Sequence, residues 1–141
     1  TTRKYYIMKP QENENLQIEY PEVRQMKPGN HGYDYIIVNE HGVELRVEFK
    51  ERDKTPKYDI TKYQADHCDI FAMRDNRGEL WFMSNKLYMS LCKKHSAWPK
   101  HQSKRWELSR NKFRSIASKD LYEIANSITP DYGTLEDFLG E

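Results

Sequence analysis

The sequence predicts a mixed α/β domain, and three observations carry that reading. Val43, Leu45, Val47 and Phe49 alternate with Glu44, Arg46, Glu48 and Lys50, a period of two that gives a strand one apolar and one charged face. The apolar run Tyr33-Asp34-Tyr35-Ile36-Ile37-Val38 precedes it, and Asn39-Glu40-His41-Gly42 between them has the turn chemistry of a hairpin. A helical stretch, a second hairpin and a second helical stretch follow, so strands and helices interleave. The 141 residues fit one domain. With 32% charged residues and a mean hydropathy of −1.01, its core is expected to be thin.

Along the chain, residues 1–28 are ambiguous. Lys4-Tyr5-Tyr6-Ile7-Met8 suits a short strand and Gln11 to Ile18 one or two helical turns, while Pro10, Pro21 and Pro28 cut the segment into short pieces. Residues 29–84 form the expected core. After Lys50 a charged loop is expected from Glu51 to Lys57, then a short helix from Asp59 to His67 capped by Asp59 or Thr61. Asp69 to Met73 and Glu79 to Met83 read as strands around the turn Asp75-Asn76-Arg77-Gly78. Ser84 or Asn85 caps a helix running to about His95, with Leu87, Tyr88, Leu91 and Cys92 on one face. Within the basic region 85–128, a loop holds Trp98-Pro99, Trp106-Glu107-Leu108 is a short strand and Asp120 to Ile128 a final helix. An acidic tail, 129–141, closes the chain.

The first hairpin brings Asp34, Glu48 and Lys50 together, since Glu48 and Lys50 point the same way from their strand. Two carboxylates and an ammonium in one place can hold a divalent metal and steer a nucleophilic water. The plain structural reading makes Asp34 a hydrogen-bonded acid at a strand edge, and Glu48 and Lys50 part of a solvated face shared with Glu44 and Arg46.

An acid on one strand followed, after a gap, by Glu-X-Lys on the next resembles the PD-(D/E)XK nuclease superfamily. Here the pattern falls on Asp34 and Glu48-Phe49-Lys50, and the resemblance spans residues 29–84. Tyr33 stands where the family usually has Pro, at a position that varies within it. The resemblance implies a restriction-endonuclease-like fold, a mixed sheet flanked by helices. It implies Mg²⁺, with Mn²⁺ as a substitute, held by Asp34, Glu48 and the backbone carbonyl of Phe49. Lys50 would orient the attacking water and stabilise transition-state charge, and Gln64 would face the site. Many such nucleases add an acid from an N-terminal helix; the candidates are Glu12, Glu14, Glu19 and Glu22, with Glu12 or Glu14 in the most helical stretch.

Net charge is only +1, so nucleic-acid binding is argued from charge distribution. Lys86 to Arg114 holds nine Lys and Arg against one acid, Glu107, with Trp98, Trp106 and Phe113 interleaved. Lys93, Lys94, Lys100, Lys104 and Arg105 are the candidate phosphate contacts, with Arg52, Lys54 and Lys57 as a second group. An ordinary solvated face is the alternative for this block.

Other chemistries lack support. Cys68 and Cys92 are isolated, Cys92 and His95 have no second pair at zinc-ligand spacing, and no Gly-rich phosphate loop occurs. No Ser or Cys sits in an activating motif. No apolar run approaches a membrane span and no signal-peptide pattern opens the chain, so a cytoplasmic protein with no membrane partner is expected. The chain begins with Thr, which points to processing or excision from a longer protein.

The expected activity is therefore a Mg²⁺-dependent endonuclease on double-stranded DNA, site-specific in the restriction or homing manner. A homodimer or higher symmetric oligomer would supply one site per strand. An RNA endonuclease of the same fold, including the viral cap-cleaving type, and a nucleic-acid-binding module without catalysis are the alternatives.

Overall fold

The computed structural model describes residues 14–27, 29, 32–95 and 104–129, the first two by backbone only. Among these residues there are two sheets. The larger has the order β1-β2-β3-β5-β6, built from β1 (Arg24–Gln25), β2 (Tyr35–Val38), β3 (Glu44–Arg52), β5 (Ile70–Asp75) and β6 (Leu80–Ser84). The smaller has the order β4-β8-β7, from β4 (Lys57–Thr61), β8 (Arg105–Ser109) and β7 (Lys93–Lys94). The helices are α1 (Glu14–Glu19), α2 (Lys62–His67), α3 (Asn85–Leu91), α4 (Arg110–Ile116) and α5 (Leu121–Asn126).

Both expected hairpins form. β2 pairs antiparallel with β3, and β5 with β6. The first turn is fixed by buried Asn39, whose Oδ1 accepts from His41 N and Val43 N, both at 2.9 Å. Its Nδ2 donates to Ala125 O and Ile128 O, which ties the hairpin to α5. Gly42 takes φ +80°, a left-handed conformation that costs little without a Cβ. In the second turn Asp75 Oδ1 accepts from Arg77 N and Glu79 N. β3 and β5 pair in parallel at the centre of the sheet, joined by a crossover through β4 and α2.

The register places Glu48 opposite Phe71 and Lys50 opposite Met73, on one face of the sheet, with Val47, Phe49, Ile70 and Ala72 on the other. The second face packs with Leu16 of α1 and with Leu121 and Ala125 of α5. On the first face Phe71, Met73 and Met83 of β5 and β6 form a separate core with Tyr58, Ile60 and Leu108 of the smaller sheet, Tyr88 of α3 and Phe113 of α4. The charged face of β3 is therefore solvated only at its start. Glu44 is exposed and pairs with Arg24, whereas Glu48 lies beneath β4.

Several expectations are corrected. The segment 51–57 is not one loop: β3 runs on to Arg52 and β4 begins at Lys57. The helix expected over 59–67 starts only at Lys62, because Lys57-Tyr58-Asp59-Ile60-Thr61 alternates as a strand and buries Tyr58 and Ile60. Thr61, not Asp59, is the cap, in a reciprocal capping box with Gln64. The α3 helix stops at Leu91 rather than near His95, and Ser84 caps it. The α4 helix was not anticipated; Ser109 caps it, and Phe113 is its one buried residue, so its apolar periodicity is faint. Asp34 lies one residue before β2 rather than within it, although Asp34 N still donates to Val47 O at 2.8 Å. The segments around Lys4–Met8 and Trp98-Pro99 and the acidic tail from 130 onward lie outside the described residues.

Candidate active site

Asp34, Glu48 and Gln64 meet in one cleft. It has a volume of about 490 Å³ and is lined by Gly29, Gly32, Tyr33, Asp34, Glu48, Thr61, Lys62, Tyr63, Gln64 and Lys104. Each side chain is held from behind. Asp34 Oδ2 accepts from the backbone N–H of Phe49 at 2.9 Å, which locks the carboxylate to the strand carrying Glu48. Gln64 Nε2 donates to Glu48 Oε2 at 3.0 Å. The same Gln64 amide accepts from Thr61 N through Oε1 at 3.1 Å, so the capping box fixes the orientation it presents to Glu48. Beneath the site the Tyr58 hydroxyl lies 3.2 Å from Glu48 O and 3.3 Å from Ala72 O, bridging β3 and β5 at the position of the acid.

The electrostatics are those of a strained pair. Glu48 is 7% exposed. Burial, and then the neighbouring Asp34 carboxylate, push its carboxyl up to about 8, while Lys50 and Arg52 pull the other way. Burial also lowers Lys50, against the opposing pull of Glu48. Lys50 Nζ lies 5.9 Å from the centroid of the Tyr58 ring, and Asp59 and Arg105 are among its charged neighbours. Asp59 is in turn 3.4 Å from Arg52 and 3.7 Å from Arg105.

These donors suit a hard divalent cation. Mg²⁺ binds through one or two carboxylates and keeps water or phosphate oxygens for the rest of its shell. A carboxyl kept protonated by burial, and then by a neighbouring carboxylate, has its ionised form stabilised by such an ion. Among the described residues no group of three or more His, Cys, Asp or Glu is placed to bind metal, and the acids that line the cleft are Asp34 and Glu48.

The remaining expected residues divide. Lys104 lines the cleft, and Lys104 O accepts from Lys62 N at 2.9 Å. Arg105 faces Asp59 beside Lys50. Lys93 is mostly exposed, 3.8 Å from buried Glu107, which also meets Lys57 at 3.0 Å and His95 at 3.8 Å. Lys94 is exposed at the edge of the smaller sheet, and Lys100 lies outside the described residues. Glu19 and Glu22 are not at the cleft. Glu19 pairs with Arg74, which alternation sets on the opposite sheet face, and Glu22 accepts from the Tyr122 hydroxyl. The side chains of Glu12 and Glu14 lie outside the described residues.

Sequence reasoning missed Tyr58, Asp59, Thr61, Lys62 and Tyr63. The available signal was the polar–apolar alternation of residues 57–61, which brings a strand rather than a loop alongside the acids.

No protein-family model and no curated protein sequence matches this chain. The fold does match a solved structure: Hjc of Archaeoglobus fulgidus, a Holliday junction resolvase from an archaeal hyperthermophile. The TM-score is 0.53 at 11% sequence identity, over 83% of this chain and 94% of the resolvase. The fold class is therefore the restriction-endonuclease-like one that the Asp34 and Glu48-Phe49-Lys50 pattern implied.

Proposed function

We propose that this protein is a Mg²⁺-dependent DNA endonuclease, with Asp34, Glu48 and Lys50 as its catalytic residues. The observation that carries the reading is the buried Glu48 carboxyl, raised to about 8 beside Asp34 and held by Gln64. A buried carboxyl beside a second, half-buried one is costly for folding to keep ionised, and a dication that binds both offsets that cost. When bound, Mg²⁺ would neutralise the acids, polarise the scissile phosphate and acidify an attacking water.

The chain's own residues supply the rest. Asp34 and Glu48 would hold the cation, with the Phe49 carbonyl as a further ligand, and Gln64 orients the Glu48 carboxyl. Lys50, whose proton is loosened by burial, sits two residues along the same strand face. It orients the water and stabilises the negative charge that develops on the phosphoryl oxygens. Lys104, Arg105, Lys93 and Lys94 neutralise flanking phosphates, and a symmetric dimer or higher oligomer places one site on each strand of a duplex.

The sequence favoured site-specific duplex cutting. The resolvase neighbour favours a second reading, in which branched DNA is the substrate. Supercoiled plasmid, a four-way junction and single-stranded RNA, each incubated with Mg²⁺, separate the cases. Discrete plasmid ends support the site-specific enzyme, and paired nicks at a junction support the resolvase. Cleavage of RNA alone, or DNA binding without cutting in either Mg²⁺ or Mn²⁺, would refute the proposal.

A further inference from the structure

Tyr63 has no role in the chemistry above, yet it stands at the mouth of the same cleft. It is the second residue of α2, and its side chain lines the cleft with Lys62, Gln64 and Lys104. Large aromatic rings on a surface usually keep one face against the protein; this one is 41% exposed. The ring packs against its own helix. The His67 ring lies 4.1 Å from it, centroid to centroid, at an interplanar angle of 41°. His67 is fixed in turn by contact of Nδ1 with Tyr63 O at 2.8 Å. Gly32, with φ +79°, packs against both residues, and a Cβ there would come within 3.0 Å of Tyr63 Cε2 and of His67 Cβ. The backbone can approach the ring this closely only because residue 32 has no side chain. None of the α2 side chains is fully buried.

An exposed aromatic ring that lines one cleft with Lys104, with Lys62 (whose ammonium also pairs with Asp66 at 2.8 Å) and with Asp34 and Glu48 suits a nucleotide. Lysines attract the backbone and the ring offers a π-face to a base. Inside continuous duplex that face is denied, because each base is already stacked on its neighbours. Only a base that has left the stack can lie on Tyr63.

We propose that Tyr63 is a stacking platform for an unpaired nucleobase beside the scissile phosphate, so that the cleft prefers DNA with an unpaired nucleotide at the cut over continuous duplex. This rests on the nuclease reading of the cleft and adds its substrate class. Tyr63 is a specificity residue and takes no part in bond breaking.

The test is fluorescence anisotropy in Ca²⁺ with two labelled probes, a continuous duplex and the same duplex carrying one unpaired adenine. A stacked base contributes about 1–3 kcal/mol, so the bulged probe should bind the wild type roughly tenfold tighter, tenfold being about 1.4 kcal/mol. Tyr63→Ala should lose that preference while keeping its affinity for continuous duplex, and Tyr63→Phe should retain it. With 2-aminopurine as the unpaired base, quenching on binding should occur with wild type and Tyr63→Phe and be absent with Tyr63→Ala. An unchanged melting temperature in Tyr63→Ala assigns the loss to contact rather than folding. Equal weakening of both probes by Tyr63→Ala, or a wild type without preference, would overturn the stacking role and leave the nuclease reading standing. Failure of the wild type to bind either probe would overturn both.

Discussion

Replacing Glu48 with Gln should stabilise the metal-free protein while destroying its activity. In the fold the Glu48 carboxyl is raised from 4.5 to about 8 by burial and by Asp34. The folded state therefore binds this proton more tightly than the unfolded chain does. Its contribution to stability is full below about pH 4.5, shrinks as pH rises, and is lost by about pH 8. At pH 7 the chain folds against roughly 2.5 pH units of proton uptake, on the order of 3 kcal/mol at about 1.36 kcal/mol per unit. Gln resembles the protonated acid in shape, can still accept from Gln64 Nε2, and has no proton to take up. Urea unfolding in EDTA at pH 4.5, 6 and 7 should show the Glu48→Gln variant and the wild type nearly equal at the lowest pH. The variant should then gain steadily, by about 1–3 kcal/mol at pH 7. Comparison stops near pH 8, where removing a charged Glu48 also deprives Lys50 of its counter-ion. A variant less stable than the wild type at pH 7, or a gap that does not change with pH, would refute the claim that the fold bears a strained carboxylate pair.

Three further outcomes are expected. Lys50→Ala should leave DNA binding in Ca²⁺ close to wild type and lower the single-turnover rate by more than a hundredfold, since comparable transition-state groups contribute roughly 3–4 kcal/mol; retention of about a tenth of the rate would remove Lys50 from the chemistry. Lys104→Ala combined with Arg105→Ala should weaken all duplexes alike and flatten the log–log salt dependence of binding by roughly one to two units, at about 0.9 per phosphate contact, and an unaltered slope would move the DNA surface elsewhere. Asp75 is buried, which raises its carboxyl, but the Trp81 indole, the turn N–H groups of Glu79 and Arg77, and Arg114 outweigh burial and hold it near 2. That lowering from 3.8 stabilises the fold above pH ~4 and is lost as pH falls towards 2, so Asp75→Asn should cost about 2 kcal/mol near neutrality, and little at pH 2, in urea unfolding.

The parts of the fold legible in the sequence are those with a strong local period. Residues 43–50 alternate cleanly because one face of β3 meets the α1 and α5 core, and the turn at 39–42 has its own chemistry in Asn39 and Gly42. That was enough to bring Asp34, Glu48 and Lys50 into one reading, to which only the family resemblance added Gln64. What could not be seen is what covers the other face. Local alternation left a solvated charged face open as an alternative, whereas β4 lies over Glu48 and Lys50, burying the first and half-burying the second. That contact pairs strands distant in sequence, β4 with β8 from Lys57↔Ser109 to Thr61↔Arg105, and no local pattern specifies it. The basic block was visible as composition, but its division was not. Lys104 lines the cleft, whereas Lys93 leans on Glu107 and Arg105 on Asp59. Tyr63 was passed over because a lone tyrosine on a short helix carries no signal until the cleft beside it is known.

The central claim is that Asp34 and Glu48 are a divalent-metal site. Calorimetric titration with Mn²⁺ tests it most directly, run in two buffers of different ionisation enthalpy for wild type and Asp34→Asn. The account predicts one site in the wild type whose binding releases the Glu48 proton at pH 7, so that the measured heat depends on the buffer. In Asp34→Asn, affinity should collapse, because an amide keeps the shape and loses the charge. Wild-type binding with no proton release, or affinity unchanged in Asp34→Asn, would contradict the account and leave these two acids a structural pair.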